Sequence, residues 1–129
     1  VETKLPNLHF AGYVPNAEIR QALQATDLYI FTTLEETEGM PAVEACAMKA
    51  DFIVRDIPVF DDWLMEGKNV YKAKDVDQFQ EKIQMFYQGQ LPSLTEAAYQ
   101  VAQARDLPQI GQELAELYAK AGRIAFESH

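Results

Sequence analysis

The stretch that decides the fold is Asp27-Leu-Tyr-Ile-Phe-Thr-Thr-Leu-Glu-Glu-Thr-Glu-Gly-Met-Pro-Ala-Val-Glu-Ala-Cys-Ala-Met48. Its first part, Leu28–Thr32, is an apolar and β-branched run of the kind that is buried on both faces of a parallel sheet. The polar loop Leu34–Gly39 follows, and Pro41 suits the first turn of a helix that continues to Met48. Strand, loop and helix in this order predict one unit of an α/β domain.

The segment before this stretch predicts another strand and helix. Leu8–Ala11 is a short strand-like run, and the turn Tyr13–Asn16 follows it. Asn16 is placed to cap a helix that runs to about Thr26.

The segment after the stretch continues the alternation. Phe52–Val54 predicts the next strand, and a short acidic helix is expected through Trp63 and Leu64 as far as Gly67. Asn69–Lys72 then predicts a fourth short strand.

Helices end the chain. Apolar residues recur at helical spacing from Asp75 until Gly89, and Ser93 with Glu96 has the spacing of a capping box. The last predicted helix carries a single apolar face, which favours docking rather than membrane insertion because its other face is mixed in sign. That face consists of Ile110, Leu114, Leu117, Tyr118, Ala121 and Ile124.

Together these elements predict one α/β domain over residues 1–129. We expect a doubly wound parallel sheet of about four strands, with helices on both faces, right-handed crossovers and a helical C-terminal tail. In such sheets ligands bind where strands end and helices begin. This rule points to two loops, Tyr13–Asn16 and Leu34–Met40.

Composition and charge exclude several classes of function. Eleven Lys and Arg face twenty Asp and Glu among 129 residues, which gives a formal net charge of −9. This balance leaves nothing to neutralise a run of phosphates, so nucleic acid is a poor partner. Cys46 is the single cysteine, so we expect a buried thiol, no intrachain disulfide and a reducing, cytoplasmic compartment. No apolar run approaches the ~18 residues of a membrane span.

The acidic side chains of the loop Leu34–Gly39 and of the helix after it are the candidates for ligand binding and catalysis. Glu36 precedes the predicted helix and Glu44 lies inside it, so their roles should differ. Gly39 lets the backbone approach a ligand closely, and the N–H groups at the helix start can hold an anion such as a diphosphate, although Pro41 removes one donor. Glu36 can accept hydrogen bonds from the hydroxyls of a sugar, and Glu44 can reach a ribose. This is the geometry of a nucleotide-sugar site.

At these residues the chain resembles the retaining GT-B glycosyltransferases that carry an E-x7-E signature in their C-terminal, donor-binding domain. The resemblance covers residues 8–75 and implies a Rossmann-like fold. Four ordered segments carry it, namely Phe10-Ala-Gly12, Thr26-Asp-Leu-Tyr-Ile-Phe31, Glu36-Thr-Glu-Gly-Met-Pro-Ala-Val-Glu-Ala-Cys-Ala47 and Arg55-Asp-Ile-Pro58. Asp61-Asp-Trp-Leu64 and Gly67-Lys-Asn-Val-Tyr71 are further similar to Gram-positive enzymes that glucosylate diacylglycerol.

The resemblance also implies roles for individual residues. Glu36 would be the catalytic residue at the donor sugar's hydroxyls, and Glu44 would bind the ribose. Backbone groups of Glu38, Gly39 and Met40, beside Pro41, would line the sugar and diphosphate. The base would pack near Tyr13 and Val14. The implied reaction transfers a hexose from a nucleotide diphosphate sugar, expected to be UDP-glucose, to a lipid or glycan with retention, and without a metal or other cofactor.

Two departures from the family pattern affect the expected function. Glu38 stands where the family has an aromatic residue, and it would repel a diphosphate unless it faces away. The strand-helix-strand unit that supplies the family's diphosphate-binding Arg and Lys is expected to be missing, as is the N-terminal acceptor domain. Lys49 and Arg55 are the nearest cations in sequence. We therefore expect this chain alone to be inactive, because cationic stabilisation of a leaving diphosphate is a large electrostatic effect.

The remaining expectations concern partners and alternatives. A sheet that lacks its first strands exposes an edge, which favours pairing with the missing N-terminal domain or with a second copy. The parent enzyme would be cytoplasmic, with peripheral association at the inner face of the membrane. A non-catalytic α/β binding or assembly module stays open as the alternative, and a nucleotide-sugar epimerase is a weaker third.

Overall fold

The computed structural model describes residues 4–127 of the chain. It contains five α-helices and a three-stranded sheet within those residues. The strands are β1 (Tyr29–Phe31), β2 (Phe52–Arg55) and β3 (Tyr71–Ala73), and a single 3-10 turn covers Pro58–Phe60. The helices are α1 (Asn16–Ala25), α2 (Met40–Ala47), α3 (Val76–Tyr87), α4 (Thr95–Ala104) and α5 (Leu107–Glu127).

The sheet is parallel, with strand order β1-β2-β3. Tyr29 pairs with Phe52, and Ile53 pairs with Tyr71. Helices cover both faces, because residues of α2 and α4 belong to the larger buried cluster with Phe52 and Val54, whereas Phe79 of α3 packs with Ile53 on the other side. The predicted Rossmann-like α/β fold is confirmed, with three strands rather than four.

The predicted first strand is the one that is missing. Leu8–Ala11 is exposed and forms no strand among the described residues. A strand persists only when a neighbouring strand pairs with its N–H and C=O groups. In residues 4–127 only β2 is hydrogen-bonded to β1, so the other edge of β1 is open. The local sequence pattern alone therefore does not hold Leu8–Ala11 in a sheet.

Three local predictions, two helix caps and one helix, were wrong. Asn16 does not cap α1; Pro15 stands at the N-cap position, and its carbonyl accepts from the N–H of Glu18. The expected acidic helix shortens to the 3-10 turn and the turns that follow it. Ser93 does not form a capping box, since its Oγ donates to Asp51 Oδ1 at 3.0 Å.

The α5 helix forms as predicted, and the described part of its apolar face is exposed. Leu114, Leu117 and Tyr118 are all exposed, Tyr118 by 74%. The side chains of Ile110, Ala121 and Ile124 lie outside the described residues. A search of the described residues for a helix both long and apolar enough to cross a bilayer finds none.

Candidate functional site

The acidic loop, residues 32–39, joins the carboxyl end of β1 to the start of α2. This is where a parallel α/β sheet binds its ligands. Glu36 is half-buried in the loop, and it lines a cleft of about 290 Å³ together with Leu34, the exposed Glu35, Ile57, Pro58 and Val59. The apolar wall and the carboxylate at its edge could hold a ligand that presents hydroxyls.

Gly39 forms the turn at which α2 begins. It is buried and has a left-handed backbone, with φ of 72° and ψ of 38°. A Cβ placed there would lie 2.4 Å from Phe60 Cε1, so no other residue fits without movement of the ring. The Phe60 ring is thus a structural reason for glycine at position 39. The close approach of a ligand to the backbone there stays a prediction.

The start of α2 offers a small number of N–H donors. No side chain caps the helix, and Pro41 has no N–H. The N–H of Ala42 donates to the Gly39 carbonyl at 2.9 Å. Among the first three helical residues this leaves the N–H of Met40 to face an anion, aided by the helix dipole.

Glu36 and Glu44 flank the Gly39 turn along the chain, one in the loop before it and one in α2 after it. Both side chains are half-buried. Burial raises the pKa of the Tyr29 phenol, and the negative charges of Glu44 and then Glu36 raise it further. Both carboxylates therefore act electrostatically on the same phenol of β1.

Glu38 occupies a different cleft from Glu36. It lines a larger cleft of about 730 Å³, between α2 and the end of α4. Trp63 and Arg105 also line that cleft, and the Arg105 guanidinium stacks on the indole at 4.1 Å from its centroid. The exposed Glu38 and the half-buried Glu36 thus line different clefts, and Glu36 shares the smaller one with Glu35.

Tyr13 and Val14 precede α1, away from either of these clefts. Tyr13 is 98% exposed, and Val14 is half-buried. Neither residue lines the clefts that contain Glu36 and Glu38. The role predicted for them at the base stays a prediction.

The two cations that are nearest to the loop in sequence, Lys49 and Arg55, bond to other groups. Lys49 Nζ lies 3.0 Å from Glu96 Oε2 and 4.5 Å from the centre of the Tyr99 ring. Arg55 donates from Nε to the Thr32 carbonyl at 3.1 Å, and from Nη1 to the Lys74 carbonyl at 2.7 Å. Within residues 4–127, no cluster of three or more His, Cys, Asp or Glu side chains could bind a metal.

Two residues of the site were missed from the sequence. The local pattern places Tyr29 only in a strand, and it indicates no role for Phe60. The signal that could have found Tyr29 is a phenol in a strand that leads into an acidic loop. Phe60 carries no such signal, because only the chain's path brings it beneath Gly39.

Comparisons with known proteins show which sequence family the chain matches. The sequence model of the family described as glycosyl transferases group 1 matches residues 2–105. A processive diacylglycerol alpha-glucosyltransferase of Acholeplasma laidlawii is 32% identical over 124 residues, which are 96% of this chain. An alpha-monoglucosyldiacylglycerol synthase of the same organism is 40% identical over 58 residues, or 45% of this chain. The matched regions span 37% and 15% of the respective relatives.

Proposed function

The chain belongs to the glycosyl transferases group 1 family, and we propose that it is the donor-binding part of a retaining glycosyltransferase. The observation that carries the proposal is the placement of two half-buried acids, Glu36 in the loop at the carboxyl end of β1 and Glu44 in the helix α2 that follows. Two carboxylates on either side of a glycine turn and a helix start suit a ligand with hydroxyls at both ends and a diphosphate between them.

In this proposal, different residues bind different parts of the donor. Glu36 accepts hydrogen bonds from the sugar hydroxyls and is the catalytic residue, whereas Glu44 binds the ribose. The backbone of Glu38, Gly39 and Met40 lines the sugar and diphosphate, and Pro41 starts the helix at that point. This division follows the positions of the two acids, one in the loop and one in α2.

The base of the nucleotide packs against Tyr13 and Val14. Tyr13 presents nearly its whole ring to solvent, and stacking under a base would cover part of that surface.

The donor and acceptor follow from the two relatives, whose names describe glucosyl transfer to diacylglycerol and synthesis of a glucosyl lipid. We propose UDP-glucose as donor and a lipid of the diacylglycerol class as acceptor. The acceptor would bind an N-terminal domain that precedes this part of the enzyme. The whole enzyme would then work in the cytoplasm at the inner face of the membrane, where that lipid lies.

Catalysis requires more cations than this chain supplies. Lys49 and Arg55 already bond to Glu96 and to main-chain carbonyls, which argues against either of them holding the diphosphate. Positive charge at a departing diphosphate is a large part of the stabilisation of the transition state. We therefore propose that this chain binds donor weakly and does not transfer sugar alone.

An NMR titration of the chain with UDP, UDP-glucose and GDP-mannose tests donor binding. We expect amide shifts at Tyr13, Val14 and Glu36–Glu44, larger with UDP-glucose than with GDP-mannose, and smaller in Glu44→Gln. Glu18→Gln is the matched control, because Glu18 is an exposed acid in the first turn of α1. The proposal would be contradicted if the folded chain shows no shifts and the longer parent protein, titrated separately, also binds no nucleotide sugar.

A non-catalytic binding or assembly module is the second candidate. The open edge of β1 favours it, because an unpaired edge can add a strand from a second copy. Measurement of the solution mass during the same titration separates the two candidates. A stable dimer without nucleotide binding would support the second.

A further inference from the structure

Phe60 lies directly beneath the turn that begins α2. Its side chain is fully buried, and Gly39 above it is also buried. An added Cβ at Gly39 would lie 2.4 Å from Phe60 Cε1 and 3.1 Å from Cζ. The ring therefore fills the space in which any side chain at position 39 would stand.

The same ring reaches the other end of the acidic loop. Its centroid lies 6.2 Å from that of Phe31, the last residue of β1. Phe31 in turn stacks on Tyr29 at 6.0 Å. One side chain thus packs near both ends of the loop that carries Glu36.

Backbone hydrogen bonds of Phe60 and the neighbouring Trp63 side chain hold the Phe60 ring in place. Phe60 ends the 3-10 turn, and its N–H donates to the Ile57 carbonyl at 3.1 Å. Its own carbonyl accepts from the N–H of Leu64 at 2.8 Å. Trp63 packs edge-on against the ring at 5.5 Å, and its indole N–H donates to Val59 at 2.9 Å.

We propose that Phe60 is a positioning residue for the donor site. Its ring fixes the left-handed turn at Gly39 and thereby sets where Glu36 stands relative to Glu44. The structural part of this inference concerns the loop alone. Its consequence for sugar transfer rests on the proposed function.

Hydrogen exchange separates positioning from a general contribution to the core. The N–H groups of Ala42 and Val43 both donate to the Gly39 carbonyl, so their exchange reports on the turn. The N–H of Met48 donates to the Glu44 carbonyl at the far end of the same helix and serves as internal reference. Global unfolding would accelerate exchange at all three sites together.

The test compares Phe60→Leu with Phe79→Leu in the full chain. Phe79 is also a buried phenylalanine, but it packs in the cluster on the opposite face of the sheet. In Phe60→Leu we expect Ala42 and Val43 to exchange about tenfold faster relative to Met48, because the turn opens locally. In Phe79→Leu the ratio stays as in the unaltered chain.

The same two substitutions in the longer parent test the consequence for transfer. We expect Phe60→Leu to lower kcat more than Phe79→Leu does at matched thermal stability. An unchanged exchange ratio in Phe60→Leu overturns the inference. A changed ratio with normal kcat in an enzyme shown to use Glu36 also overturns it, because the turn would then not set the catalytic geometry. If Glu36 itself proves dispensable, the proposed function fails instead.

Discussion

Arg55 donates a 2.7 Å hydrogen bond from Nη1 to the main-chain carbonyl of Lys74, just beyond β3. The Nε of the same guanidinium donates to the carbonyl of Thr32, just beyond β1. The planar fork of one arginine thus joins two strands of the sheet at the edge where the acidic loop begins.

We expect Arg55→Ala to lower the free energy of unfolding by about 1–2 kcal/mol, because two partly exposed charge-assisted hydrogen bonds are lost. Arg55→Lys should restore less than half of this, since an ammonium cannot span both carbonyls in the geometry of the fork. Urea unfolding of the three proteins measures both effects. Full recovery of the free energy of unfolding in Arg55→Lys would show that the positive charge alone, and not the geometry of the fork, stabilises the sheet.

Gly39→Ala should destabilise the chain far more than Gly89→Ala. Both glycines have φ of 72°, but an added Cβ meets Phe60 only at Gly39 and open space at Gly89. We expect the free energy of unfolding to fall by about 1 kcal/mol in Gly89→Ala, from the left-handed backbone alone, and by about 3 kcal/mol or more in Gly39→Ala. Thermal unfolding of both variants compares the two positions.

Combination with Phe60→Leu gives the control for this comparison. The smaller side chain makes room for the new Cβ, so Gly39→Ala should cost less in that background than in the unaltered chain. Strict additivity of the two substitutions would show that the contact with Phe60 is not the cause of the difference.

Cys46 should be unreactive in the folded chain. Its side chain is fully buried, and burial raises its pKa from 9.0 to about 12. The thiolate is the reactive form, so labelling with a thiol reagent at pH 8 should require unfolding. Labelling at the same rate with and without urea would contradict this.

Because the pKa of Cys46 is higher in the folded chain than in the unfolded chain, the stability of the fold depends on pH in the alkaline range. Below pH 9 the thiol is protonated in both states, so its contribution is complete there. Between pH 9 and about 12 only the unfolded chain releases the proton, so stability falls as pH rises. The pH dependence of urea unfolding should be shallower in Cys46→Ala over this window, whereas an identical slope would exclude the thiol as its source.

Glu36→Gln in the longer parent should lower kcat by about 10²-fold or more, if the carboxylate acts on the transition state as proposed. Glu35→Gln is the matched control, because Glu35 lines the same cleft but is exposed, whereas Glu36 is half-buried. Glu44→Gln should mainly raise the Kd for nucleotide. Steady-state kinetics and nucleotide titration together distinguish these effects, and equal kcat in the two loop variants would remove Glu36 from catalysis.

The order of the elements was predictable because it depends on local pattern. Alternating apolar strands and amphipathic helices predict a parallel α/β sheet, and β1, α2, β2 and α3 form close to their predicted bounds. The spacing of Glu36 and Glu44 about a glycine turn likewise pointed to one loop. The buried state of Cys46 followed from its apolar helix face.

Pairing and long-range contact were not predictable in the same way. Leu8–Ala11 has the pattern of a strand, but strand formation needs a hydrogen-bonding neighbour, which no local pattern supplies. Ser93 has the spacing of a cap, but Asp51, 42 residues away, accepts its hydrogen bond instead. Each failure involves a group remote in sequence.

Local pattern was enough to predict the α/β class, the edge of the sheet at which such folds bind ligands and the two acids to examine, because period and turn chemistry act over a few residues. The position of Phe60 under Gly39, and the bonds by which Arg55 joins β1 to β3, became visible only in the folded chain. These contacts form between segments that are far apart in sequence, so no local pattern records them.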